Sequence, residues 1–183
     1  MVIGVPDSGL CAAIGYAEQS GIPYGDGLIK NRYIGRTFIQ PAQSMREISV
    51  SMKLNAVKSS VEGKRVVMID DSIVRGTTIR KIVIMLKKAG AKEVHVRISA
   101  PPFMWPCYFG TDISSRSQLV AYKHTIEEIR ELIKADTLGY LSLKGLEGIC
   151  KTSKLEFCNG CFSGCYPVEV PEETDKLAFE RGN

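Results

Sequence analysis

The 183-residue chain is poor in several features that would otherwise narrow its role. Its only histidines are His95 and His124, so a serine or cysteine nucleophile would find few general bases, and both fall where structural roles are expected. Uninterrupted apolar runs are only a few residues long, far below the roughly 20 that span a bilayer. The N-terminus shows no basic flank followed by an apolar segment. The expectation is a protein neither embedded in a membrane nor exported. No Gly-x-x-x-x-Gly-Lys-Ser/Thr loop and no dinucleotide fingerprint occurs, which removes the commonest nucleotide motifs. Positive charge is in slight excess, 24 Lys and Arg against 20 Asp and Glu, too little to argue for nucleic acid but enough for a small anionic ligand. Internal repeats and low-complexity linkers are also absent.

What is present suits one medium-sized folded domain. A hydrophobic content of 44% excludes disorder and supports a core of useful size. Six cysteines stand at 11, 107, 150, 158, 161 and 165, three of them in the run Cys158-x-x-Cys161-x-x-x-Cys165. Disulfide frameworks belong to smaller exported chains, so soft ligation of zinc or an iron–sulfur cluster is the first expectation for that run. Cys11 and Cys150, in apolar surroundings, are expected to be packed and inert.

Short β-branched runs alternate with helical patterns, which argues for an α/β fold with a mostly parallel sheet flanked by helices. Val2 to Val5 reads as a strand, Pro6 to Gly9 as a turn, and Leu10 to Glu18 as a helix closed by Gly21. Residues 25–41, with Lys30, Asn31, Arg32, Tyr33 and Arg36 framed by glycines, read as a mobile loop. Ser44 and Glu47 have capping-box spacing for a helix fading before Gly63. Arg65 to Ile69 is a strand, Thr77 to Ala89 a helix with Ile79, Ile82, Val83 and Leu86 on one face, and Val94, Val96 and Ile98 alternate in another strand. Thr125 and Glu128 cap a further helix, and beyond Gly148 the pattern turns irregular and cysteine-rich.

The most informative segment is Val66-Val67-Met68-Ile69-Asp70-Asp71-Ser72-Ile73-Val74-Arg75-Gly76-Thr77-Thr78. A strand delivers two carboxylates, and the chain then enters a helix through Gly-Thr-Thr, whose N–H groups and hydroxyls make a phosphate cradle. Carboxylates beside such a cradle repel phosphate and suit ribose hydroxyls or magnesium instead. Each residue taken singly could be a plain cap. Four apolar residues, two acids, a short linker and Gly-Thr-Thr in that order are harder to obtain by capping alone.

This segment resembles the signature of type I phosphoribosyltransferases, which bind 5-phosphoribosyl-1-pyrophosphate (PRPP). With Val5-Pro6-Asp7-Ser8-Gly9, the stretch Lys30 to Ile39, Pro101-Pro102 followed by Cys107, and Cys158-Asn159-Gly160-Cys161, the chain is similar to amidophosphoribosyltransferases as far as about Pro167. The resemblance implies a type I phosphoribosyltransferase domain over residues 1–148, with a flexible lid at about 25–41 and an irregular cysteine-rich segment over 149–183. It implies PRPP binding by Ser8, Asp70, Asp71, Ser72, Arg75, Gly76, Thr77 and Thr78, with Mg2+ near Ser8, Asp70 and Asp71. Asp70, Asp71, Lys30 and Arg32 would serve catalysis, and Lys30 to Arg36 would close over PRPP. The reaction it implies puts ammonia on ribose C1, releasing pyrophosphate and giving 5-phosphoribosylamine, the first step of purine synthesis.

By the same resemblance Cys107, Cys158 and Cys161 match three ligands of a 4Fe-4S cluster, with the fourth ligand and an N-terminal glutaminase absent from this chain, as in a fragment. Cys165 is taken as incidental, with the cluster site incomplete or empty. The implied partners are PRPP, ammonia, the glutaminase domain, purine nucleotides as inhibitors and further copies in a homo-oligomer, commonly a tetramer, in the cytoplasm. Two other readings are a nucleobase phosphoribosyltransferase and a non-catalytic regulator that senses PRPP.

Overall fold

The computed structural model describes residues 1–31, 54–111, 113, 115–151 and 157–170. Along the chain the elements are β1 (Val2–Gly4), α1 (Leu10–Ser20), β2 (Leu28–Lys30), β3 (Leu54–Ala56), α2 (Lys58–Val61), β4 (Arg65–Asp70), α3 (Thr77–Lys88), β5 (Glu93–Ile98), α4 (Val120–Lys123), α5 (Ile126–Ile133), β6 (Thr137–Tyr140), α6 (Leu143–Cys150) and α7 (Gly160–Ser163). Strands β1, β4, β5 and β6 form one sheet in that order, every neighbouring pair parallel. This is the α/β architecture that the alternation of patterns calls for.

Strand periodicity sorts the apolar residues onto two faces. Ile3, Val66, Met68, Val94, Val96 and Ile98 meet Ile79, Ile82, Val83 and Leu86 of α3 and Ile129 and Ile133 of α5 in the main core. Full burial of each such side chain is worth roughly 1.5–3 kcal/mol. On the opposite face Val2 and Ile69 pack on Ala13 and Ala17 of α1, whose small side chains let the helix lie close to the sheet. Gly21 ends α1 in the left-handed conformation, its N–H donating to Ala17 O. Thr125 and Glu128 cap α5 reciprocally, as their spacing predicts.

Several expectations are corrected. Leu28–Lys30, placed by the sequence pattern in a mobile loop, is a strand antiparallel to Leu54–Ala56, which that pattern assigned to a fading helix. Leu28 and Leu54, both buried, hold this pair to the main core, a long-range contact that neither three-residue run signals by itself. Cys11 is exposed on α1 rather than packed, because the buried stripe of that helix runs through Ala13 and Ala17. Strand β6 was not anticipated, and the segment beyond Gly148 contains α7. Ser44, Glu47, Arg32, Tyr33 and Arg36 lie outside the described residues.

A third apolar cluster joins the cysteine-bearing segments to the body: Phe103, Ile113 and Leu119, with Val74, Cys107, Cys161 and Phe162 against them. The Met104 and Trp105 N–H groups both donate to Cys161 O at 3.0 Å, and Tyr166 donates its hydroxyl to Pro106 O at 2.7 Å. Arg116 lies 3.4 Å above the Trp105 ring and 4.2 Å from the Tyr122 ring centre, with Nε donating to Met104 O. No helix of the described residues is long and apolar enough to cross a membrane.

Candidate active site at the carboxyl ends of β1 and β4

The two strands that open the sheet end side by side, and each delivers a polar turn at its carboxyl end, where parallel sheets receive ligands. After β1 the turn Pro6–Gly9 folds back so closely that a Cβ at Gly9 would stand 2.5 Å from Ile69 O and 2.9 Å from Val5 N. Only glycine permits that approach. It brings Ser8 to the end of β4, where its hydroxyl donates to Asp71 Oδ1 at 2.8 Å. Ser72 donates to the other oxygen, Oδ2, at 2.7 Å.

The adjacent acids are held in unlike states. Asp70 is 6% exposed; burial, and then its carboxyl contact with Asp71, push its pKa up to about 8, although its Oδ1 accepts the Asp71 N–H. Burial pushes Asp71 upward too, but hydrogen bonds from Ser72, Asp70 and Ser8 outweigh it and hold this carboxyl below its ordinary value. Burial thus favours the protonated form of Asp70, while the hydroxyl donors favour the ionised form of Asp71.

Beyond the acids, Ser72 to Gly76 lead into α3. Ile73 is buried and anchors the loop, the Val74 carbonyl accepts from Val120 N at 2.9 Å, and Arg75 donates to Gln118 Oε1. Gly76 takes the N-cap position in the left-handed region, φ 77°, with no side-chain cap. That leaves the first-turn N–H groups of α3 without carbonyl partners inside the helix and places positive dipole density there. A cavity of about 800 Å³ opens on this helix start and is lined by the acids and the whole loop to Ile79. Thr111 and Ile113, from a distant loop, complete its lining.

Ser8, Asp70, Asp71, Ser72, Arg75, Gly76, Thr77 and Thr78 are therefore brought to one place. Lys30 joins from β2, pairing its ammonium with Asp7 on the same turn as Ser8. Arg32 lies outside the described residues. Thr111 and Ile113 escape sequence reasoning, because nothing in their own segment marks them as neighbours of a loop more than thirty residues away. His95 bonds Thr137 and Glu93 within the sheet and His124 follows α4, structural places for both.

Oxygen donors from Ser8, Asp70 and Asp71 suit a hard cation shared with a substrate's own oxygens, the way Mg2+ is usually held. The thiols fit their expected group less completely. Cys161 is pushed up to about 11 by burial and then by the charges of Cys107 and Cys158, so the three influence one another. Among the described residues, however, no three of His, Cys, Asp or Glu form a group that could hold a metal ion, and a 4Fe-4S cluster takes four thiolates.

Residues 1–100 match the family model described as the phosphoribosyl transferase domain. The amidophosphoribosyltransferase of Archaeoglobus fulgidus is 58% identical over 174 residues, covering 94% of this chain and 38% of the relative. That of Bacillus subtilis is 59% identical over 178 residues, covering 95% and 37%. A solved structure of the B. subtilis glutamine PRPP amidotransferase complexed with ADP and GMP superposes with a TM-score of 0.81 at 59% identity, covering 94% of this chain and 39% of that one. The chain thus spans well under half the length of the relatives it matches. It belongs to the phosphoribosyl transferase domain family.

Proposed function

We propose that this chain carries the PRPP-binding and ammonia-transferring part of an amidophosphoribosyltransferase. The observation that carries the reading is the juxtaposition of an anionic carboxylate, Asp71, with a glycine-capped helix N-terminus in one cavity. The α3 start and the Thr77 and Thr78 hydroxyls suit the 5-phosphate. Asp70 and Asp71 suit the ribose hydroxyls, for which carboxyl oxygens are acceptors. The Ser8 turn and Lys30 suit the pyrophosphate.

The chemistry follows from those placements. Ammonia attacks ribose C1 and the bond to pyrophosphate breaks, so positive charge develops on the ribose ring while negative charge leaves with pyrophosphate. Asp71 stabilises the first in a site where its charge is already fixed by Ser8 and Ser72. Lys30 stabilises the second. Mg2+, when bound through oxygens of Ser8, Asp70 and Asp71, supplies further neutralisation of the pyrophosphate charge. Arg32, among the catalytic groups, and the stretch from it to Arg36 are read as a lid that excludes water competing with ammonia.

Residues 1–148 are read as the catalytic domain and 149–183 as the cysteine-rich segment; by the family resemblance Cys107, Cys158 and Cys161 correspond to three ligands of a 4Fe-4S cluster, read as incomplete or empty in this chain. The family resemblance supports a glutaminase unit as ammonia source, a cytoplasmic homo-oligomer and inhibition by purine nucleotides. The ADP and GMP held by the B. subtilis relative fit that last reading. The test is to incubate the chain with PRPP, magnesium and ammonium salt and to follow pyrophosphate. Release that needs ammonium supports the proposal. Release only with a nucleobase transfers it to the nucleobase enzymes, and no release overturns catalysis by this chain.

A further inference from the structure

The turn that precedes α4 is bonded to the phosphate loop at two neighbouring places, once through backbone and once through a side chain. Residues Arg116–Gln118 form a single 3-10 turn started by Ser115, whose hydroxyl accepts from Ser117 N at 3.3 Å. Leu119, fully buried, anchors the turn in the third apolar cluster, against which Val74 of the phosphate loop packs. The Val120 N–H donates to Val74 O at 2.9 Å. Arg116 ties the same turn to Met104 O and to the Trp105 ring. Gln118 stands exposed between these anchors, and its Oε1 accepts from Arg75 Nη2.

Arg75 lines the cavity beside the start of α3 and is the one cation of the Ser72–Thr78 loop. It is exposed, and a long exposed side chain with no partner samples many rotamers, all but a few of which are lost when it is ordered on an anion. The Gln118 oxygen takes part of the guanidinium's donor fork and leaves the remaining N–H groups for a ligand. Because the backbone of Gln118 is held on both sides, that oxygen is a fixed point, and the guanidinium that meets it is ordered before any ligand arrives. We propose that Gln118 is a positioning residue for anion binding in this cavity, holding the Arg75 guanidinium ready for the 5-phosphate. The proposal rests on the reading of this cavity as the 5-phosphate site. The Val120–Val74 bond sets the loop, and the Gln118 side chain sets the cation that the loop carries.

The experiment uses the 183-residue chain and ribose 5-phosphate as probe, with affinity read by titration calorimetry and folding by thermal unfolding. Gln118→Met keeps the length of the side chain and removes the acceptor; Gln118→Glu keeps an oxygen acceptor. Loss of one such hydrogen bond corresponds to about three- to tenfold in Kd for Gln118→Met, and Gln118→Glu is expected to recover most of that loss. Both variants should unfold at nearly the midpoint of the unaltered chain, since the side chain is exposed. In an Arg75→Ala chain, itself weaker by about tenfold, the further change Gln118→Met is expected to cost nothing, because Gln118 acts through Arg75 alone.

Unchanged affinity in Gln118→Met overturns the proposal, and so do losses that simply add in the double variant. Equal losses in Gln118→Met and Gln118→Glu do the same, because the acceptor would then be irrelevant. Failure of the unaltered chain to bind ribose 5-phosphate is a different result: it overturns the phosphate reading of the cavity, and the proposal with it.

Discussion

Replacing Gly9 with alanine attacks the join on which the whole site depends. The new methyl would stand 2.5 Å from Ile69 O, 2.9 Å from Val5 N and 3.0 Å from Val5 O. All three are backbone atoms of strand ends, so no side-chain rotation relieves the contact. To reach even 3.0 Å from Ile69 O the Pro6–Gly9 turn must retreat by about 0.5 Å, and the Gly9 N–H also gives up its geometry to Val5 O. Overpacking of this kind costs about 1–3 kcal/mol. The retreat carries Ser8 away from Asp71, stretching a bond that now measures 2.8 Å towards the limit of hydrogen bonding. Urea unfolding together with ammonia-dependent pyrophosphate release measures both effects, and activity is expected to fall further than stability explains. Gly15→Ala is the matched control: its methyl meets nothing within 4 Å on exposed α1, and it should stabilise by about 0.5–1 kcal/mol. A Gly9→Ala chain with ordinary stability and full activity would refute the argument that the turn is pinned by that contact.

Other consequences are as specific. Arg116→Ala removes two ring contacts and the bond to Met104 O; unfolding by urea should show a loss of about 1–3 kcal/mol, with Arg116→Lys intermediate, and an unchanged midpoint contradicts the stacking account. Asp136 is raised by burial, but the Val94 N–H, its contact at 2.7 Å, and Lys87 outweigh this and hold the carboxyl below its ordinary value. Its folded pKa is the lower one, so its contribution is complete above the unfolded pKa and is lost as pH falls through the folded value. Stability curves of the unaltered chain and Asp136→Asn should therefore differ at neutral pH and converge in acid; a gap that widens in acid would invert the sign. Lys30→Ala removes the cation beside Asp7 and should raise the KM for PRPP while leaving the unfolding midpoint nearly unchanged, since exposed pairs contribute about 0–1 kcal/mol; steady-state kinetics beside urea unfolding checks both.

Legibility in the sequence followed how local each cause is. The β4 run, the acids and Gly-Thr-Thr are consecutive, so strand, turn and helix start could be read together, and the structure keeps them together. The Thr125 and Glu128 cap is equally local. Leu28–Lys30 and Leu54–Ala56 carry no strand signal of their own, because each is three residues long and gains its conformation from the other and from the core. Strand β6 has the weak pattern Thr-Leu-Gly-Tyr and exists because β5 presents an edge to it; Gly139 admits Arg97 so closely that a Cβ would meet its side chain at 3.2 Å. The exposure of Cys11 has no signal in the sequence, since an alanine-rich helix offers small residues on several sides and only packing decides which stripe is buried. Thr111 owes its place in the cavity to the tertiary path of a loop, for which no periodicity exists.

On the proposed reading Asp71, held ionised by Ser8 and Ser72 beside the start of α3, stabilises the charge that develops on PRPP. Ammonia-dependent pyrophosphate release by the 183-residue chain and by Asp71→Asn tests it most directly. The rate should fall about 10²-fold or more for Asp71→Asn, with the thermal unfolding midpoint little changed. An unaltered rate in the folded variant would contradict it.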